Sequence, residues 1–133
     1  MAGTVEEHVL IVESDILIRQ PLAEYLRECG YKVVEAADVV EARTLLSEGK
    51  FRIDIVLADV DADNDNAFAL TKWIRTEHPG IEVMLAATIE AATRKAGALC
   101  EEGKTVAKPY EHHLVLSRIK QSLAARERGN KRS

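Results

Sequence analysis

Five times along 133 residues a short apolar run gives way to a longer segment whose apolar residues recur at helical spacing. The runs are "HVLIVE" (8–13), "YKVVEA" (31–36), "IDIVLA" (53–58), "IEVMLAA" (81–87) and "KTVAK" (104–108). Each is short and rich in branched residues, as strands are. The segments between and after them read as helices over about 15–29, 38–50, 66–78, 89–103 and 110–128. Ser14 or Asp15 can cap the first and Asp38 the second, while Gly30, Gly49 and Pro79-Gly80 end the first three. Pro21 deletes one hydrogen bond inside the first helix and predicts a kink there.

Strict strand–helix alternation calls for a parallel sheet with helices on both faces. The third run is apolar nearly throughout, as a strand covered on both faces must be. At this length the expected architecture is an α/β, flavodoxin-like (βα)5 domain, a doubly wound five-stranded parallel sheet of order 2-1-3-4-5. The boundaries expected are a tail over 1–7, one domain over 8–126 and a polar tail over 127–133.

Composition excludes several classes. With 47% hydrophobic and 30% charged residues the chain is neither disordered nor membrane-embedded, and no apolar run approaches the roughly 20 residues of a span. A net charge of −4 gives no global signature of nucleic-acid binding. "MAGTVEEH" has no basic start and apolar run, so no secretory signal is read there. Cys29 and Cys100 form no CxxC and lie far apart, and are read as reduced, half-buried helix residues of a cytosolic protein, with a disulfide between them as the minor reading.

In such sheets ligands bind at the carboxyl ends of the strands, near the switch between strands 1 and 3. Strand 1 ends in Glu13-Ser14-Asp15, strand 3 in Asp59, strand 4 in Ala86-Ala87-Thr88 and strand 5 in Lys108-Pro109. Clustered carboxylates repel and favour a hard divalent cation such as Mg²⁺. A carboxylate beside that cation can attack phosphorus to form an acyl phosphate, with the metal and a lysine neutralising the transferring group. Asp59 also opens an acidic repeat with Asp61, Asp63 and Asp65. A calcium loop fails, because the sixth position from Asp59 is Asn64 instead of Gly and the twelfth is Leu70 instead of Glu. A D-x-D phosphatase, with Asp59 as nucleophile and Asp61 as acid, leaves the opening block and Lys108-Pro109 without a role. Asp63 and Asp65 read as solvated loop charge, and Trp73 as a packing anchor. Glu111-His112-His113 invites a metal reading, but adjacent helical histidines diverge by about 100°, so a solvated first turn is expected.

"VLIVESDILIRQPLAEYLRECGYKVVEAAD" (9–38), "IDIVLADV" (53–60) and "VAKPY" (106–110), in order and at this spacing, resemble the receiver domain of two-component response regulators over about residues 8–125. The resemblance implies Asp59 as phosphoacceptor, Lys108 as the phosphoryl-contacting lysine, and Mg²⁺ held by Glu13, Asp59 and the backbone carbonyl of Asp61. Ser14 stands where the family has its second acid, so Ser14 or neighbouring Asp15 would complete the ligands. Ala86 replaces the family's Thr or Ser, with Thr88 two residues on, and Thr105 replaces an aromatic switch residue. Asp63 and Asn66-Ala67 stand where a Pro and an Asp-Gly turn are usual.

The resemblance implies a bacterial, cytoplasmic, stand-alone receiver in a phosphorelay, a phosphoacceptor switch and not an enzyme beyond its own phosphotransfer and dephosphorylation. Its phosphodonor would be a histidine kinase or histidine phosphotransferase. Its output would be contact with a downstream protein through the helix 4–strand 5–helix 5 face, near Thr88–Arg94, Thr105 and Tyr110–Lys120. The altered positions Ser14, Ala86 and Thr105 keep a second reading open, a degenerate pseudo-receiver that binds partners without phosphorylation. Self-association into a homodimer is left open by the sequence.

Overall fold

The computed structural model describes residues 7–59, 64–102 and 111–131, with side chains described outside 64, 65, 130 and 131. The elements run β1 (His8–Val12), α1 (Ile16–Glu28), β2 (Lys32–Ala36), α2 (Val39–Glu48), β3 (Ile55–Asp59), α3 (Asn64–Glu77), β4 (Glu82–Ala86), α4 (Ile89–Glu102) and α5 (His112–Lys131). The four strands form one parallel sheet of order β2-β1-β3-β4, the first four places of the expected order. The fifth place falls on 103–110, outside the described residues.

Side chains alternate across each strand, and this divides the core in two. Val9, Ile11 and Ile55 point to one face, under Leu22, Leu26, Ala96, Leu99, Val115 and Ile119 of α1, α4 and α5. Leu10, Val12, Val56 and Ala58 point to the other, under Ala42, Leu46, Leu70 and Ile74 of α2 and α3. The strands β1 and β3 are therefore apolar on both sides.

The helix ends follow local chemistry. Asp15 caps α1 by accepting from the Leu17 amide at 3.0 Å. The helix continues through Pro21 to Glu28. It closes on Gly30, whose φ of 103° lets the Gly30 and Tyr31 amides return to the carbonyls of Arg27 and Leu26. Asp38 accepts from the Glu41 amide at 2.7 Å, and Glu41 accepts in turn from the Ala37 amide, so the start of α2 is held from both sides.

Two features depart from simple alternation. A right-handed crossover from β4 to a strand beyond it would place α4 beside α3. Here the buried stripe of α4 (Thr93, Ala96, Gly97, Leu99, Cys100) packs with α1 instead. In addition, α5 runs antiparallel to α1, since Arg118 meets Glu24 (3.6 Å) and Arg126 meets Asp15 (2.8 Å). Lys120 on Glu90 (3.1 Å) and His112 against Gly97 set α5 antiparallel to α4 as well. The last helix also extends to Lys131, through the stretch expected to be a tail from residue 127.

The two cysteines correct the sequence reading. Cys29, at the C-cap of α1, and Cys100, on α4, are almost fully buried and joined as a disulfide with a Cα–Cα distance of 5.4 Å. The packing of α4 on α1 brings them together, and a sequence separation of 71 gives no hint of it. Beside them, the buried Tyr31 hydroxyl donates to the Leu99 carbonyl. Burial, with smaller contributions from Glu7 and Glu102, pushes the Tyr31 phenol up to about 12.

Candidate functional site

The carboxyl ends of β1 and β3 deliver Glu13 and Asp59 to the same place. Both line a cavity of about 350 Å³ with Ser14, Asp38, Arg43 and Asn66. Both also line a second opening of about 260 Å³ with Ile18, Thr88 and Ile89. The carboxylate pair is thus the wall common to two clefts at the topological switch of the sheet, where the strand order alone places a ligand.

Glu13 is buried, and its position is over-determined. Its amide donates to the Ala36 carbonyl (3.0 Å), and its carbonyl accepts from the Arg19 guanidinium (2.9 Å). Arg19 is held in turn by Glu35 at 3.0 Å. One carboxylate oxygen of Glu13 accepts from the Asp15 amide at 2.8 Å, which ties the strand end to the helix start.

Asp15 faces other work. Besides capping α1, its two carboxylate oxygens accept from both terminal nitrogens of Arg126, at 3.0 and 2.8 Å. These bonds to Arg126 hold the Asp15 carboxyl below its usual range; burial opposes them, and the Leu17 amide and the charges of Arg126 and Arg19 add to the lowering. Ser14, between the two acids, is exposed on the rim of the larger cleft.

Asp59 is the last residue of β3, partly buried, and stands in register with Ala86 of β4. Ala86 is buried and offers only a methyl group. Thr88 lines the smaller cleft, and its hydroxyl accepts from the Ala91 amide at 3.0 Å, which engages one of its two lone pairs in starting α4. Asp61, Asp63, Thr105 and Lys108 lie outside the described residues, as does the Asp65 side chain. Of the predicted set, Glu13, Ser14 and Asp59 share a cleft, and Asp15 sits beside it on Arg126.

Three cleft residues carry no site role in the sequence reading. Asp38 reads there only as a helix cap, although it follows β2 at the same sheet edge and the strand-end rule reaches it. Arg43, one turn into α2, lines the larger cleft while its guanidinium lies 4.9 Å from the centroid of the Trp73 ring. Asn66 begins the opposite wall.

The side chains of this cleft that could hold a cation offer oxygens: the carboxylates of Glu13 and Asp59, the Ser14 hydroxyl, the Asn66 amide oxygen, and the carboxylate of Asp38, one oxygen of which also caps α2. That set suits a hard divalent cation of the Mg²⁺ kind, which takes one or two carboxylates and retains water. At the start of α5, one ligand atom from each of Glu111, His112 and His113 comes within 4.8 Å of the others.

A parallel α/β sheet with two acids at its switch point defines the class of doubly wound domains that bind ligands at the carboxyl ends of their strands. The chain matches the response regulator receiver domain family over residues 9–120. It belongs to that family, as the receiver domain of a two-component phosphorelay. It is 31% identical over 112 residues to the protein PetR of Rhodobacter capsulatus, covering 84% of this chain and 46% of that one. It is 36% identical over 94 residues to the sensor histidine kinase RcsC of Escherichia coli, covering 71% of this chain and 9% of that one. This chain spans less than half the length of either relative. Among solved structures it resembles the chemotaxis response regulator CheY4 of Vibrio cholerae (26% identity, 88% and 98% of the two chains, TM-score 0.55). A response regulator from Thermotoga maritima matches in fold (22% identity, 88% and 97%, TM-score 0.57). Such domains are phosphoacceptor switches.

Proposed function

We propose that Asp59 is the phosphoacceptor of this receiver, served by a histidine kinase or histidine phosphotransferase. The observation that supports this most is the placement of Asp59 at the end of β3, in the same two clefts as the buried Glu13. An Asp59 carboxylate oxygen attacks phosphorus, the bond to the donor imidazole nitrogen breaks, and that nitrogen keeps its electron pair. Water later cleaves the acyl phosphate and releases inorganic phosphate.

Mg²⁺, when bound, neutralises charge on the transferring group. Glu13 and Asp59 would hold it, with Ser14 at the rim and the Asp61 carbonyl and Lys108 in the roles the family gives them. Asp15 would have to leave Arg126 to take part. The receiver unit is assigned to residues 8–126 and placed in the cytoplasm, where such donors act. Output is assigned to the surface shared by α4 and α5, where a downstream protein would bind; Ala86 and the engaged Thr88 hydroxyl give it a relay unlike the family's usual one.

Incubation with acetyl phosphate and Mg²⁺, followed by intact mass measurement, tests the assignment. One phosphoryl group should be gained, and none by Asp59→Asn. An unchanged mass, or a gain that survives Asp59→Asn, refutes it.

A further inference from the structure

We propose that Glu111, His112 and His113, at the start of α5, form a site for a borderline divalent transition metal of the zinc class, separate from the acidic cleft. Glu111 lies just outside the helix, and its carbonyl accepts from the Leu114 amide at 3.0 Å. Its carboxylate is not held to the helical 100° step, and it reaches the two histidines of the first turn. The imidazole centroids of His112 and His113 stand 5.4 Å apart. One donor atom from each of the three residues lies within 4.8 Å of the others. Around a tetrahedral zinc, with bonds of about 2.0–2.2 Å, donor atoms stand roughly 3.4 Å apart. Closure therefore needs a movement of about 1–1.5 Å, within the reach of side-chain torsions.

The chemistry of the donors selects the ion. Two imidazoles and one carboxylate suit Zn²⁺, Ni²⁺ or Cu²⁺, whereas the all-oxygen cleft at Glu13 and Asp59 suits Mg²⁺. A cation at this place meets the positive end of α5, so the charge of Glu111 is needed to offset it. Both cysteines are in the disulfide, which removes thiolates as rival ligands.

A second observation gives the site a support. A Cβ placed on Gly97 would lie 2.8 Å from both Cβ and Nδ1 of His112. Glycine at 97 is therefore what lets the His112 ring lie against α4. Through that contact, metal at the start of α5 would stiffen its junction with α4.

The test is calorimetric titration of zinc chloride into the full chain with Mg²⁺ in excess. One equivalent should bind. His113→Ala and Glu111→Gln should each weaken it, Gly97→Ala should weaken it roughly tenfold by displacing His112, and Asp59→Asn should leave it unchanged. Imidazole ¹⁵N resonances of the unmutated protein provide a readout independent of any variant: those of His112 and His113 should shift with zinc, and those of His8 and His78 should not. No binding, equal affinity in His113→Ala, loss of binding in Asp59→Asn, or shifts at His8 or His78 in place of the pair would each overturn the site.

Discussion

Asp15 has three partners, and each belongs to a different part of the molecule. Its amide is held by Glu13 in the cleft, its carboxylate caps α1, and the same carboxylate pairs with Arg126 near the end of α5. Loss of the cap in Asp15→Ala should cost about 1 kcal/mol in urea unfolding. The pairing with Arg126 has a pH signature. A carboxyl whose folded-state pKa is depressed contributes stability above its unfolded value, about 3.9, and loses it as pH falls through the folded value. Arg126→Met should therefore destabilise the protein at pH 7, and the difference should close in acid below the Asp range. A penalty that persists unchanged in acid would contradict the pairing. High salt should shrink it at neutral pH, since Arg126 is exposed at the surface. Glu13 and Asp59 are legible in the sequence because strand ends at a switch point collect functional groups. Arg126 is not, because 111 residues separate it from its partner and nothing in its neighbourhood marks it.

At the scale of elements, the helix that matters most is α4. The strand before it offers apolar side chains to both faces: Met84 packs with one core cluster, Val83 and Leu85 with the other. The amphipathic stripe of α4 could be buried on either side, so its periodicity identifies a helix and leaves its face open. Packing beside α1 brings Cys100 to Cys29. By the chain-entropy account, a cross-link over 71 residues stabilises by about 4 kcal/mol at 25 °C. Cys29→Ser/Cys100→Ser, or a thiol reductant, should lower the urea midpoint accordingly; an unchanged midpoint would argue against the bond in solution. Ile119, fully buried on α5, anchors that helix over the same cluster. Ile119→Ala should cost about 2–5 kcal/mol, read in the same experiment.

For the whole molecule, the cleft and α5 are joined through Glu13, Asp15 and Arg126. Occupancy of the Asp59 site by beryllofluoride with Mg²⁺ should shift amide resonances near Glu13–Leu17 and also in the turn of α5 that carries Arg126. Shifts confined to the strand ends, with α5 silent, would show that the link does not transmit. By itself the sequence determined the four described strands, the five helices, the parallel sheet and the convergence of Glu13 and Asp59, because apolar periodicity and strand ends are local properties of the chain. Only the tertiary structure decided which face receives α4, the reversed run of α5, the disulfide and the Arg126 clamp on Asp15. Each of these depends on which of several equally apolar surfaces pack together, or on a side chain's partner far along the chain, and neither is written into a local pattern.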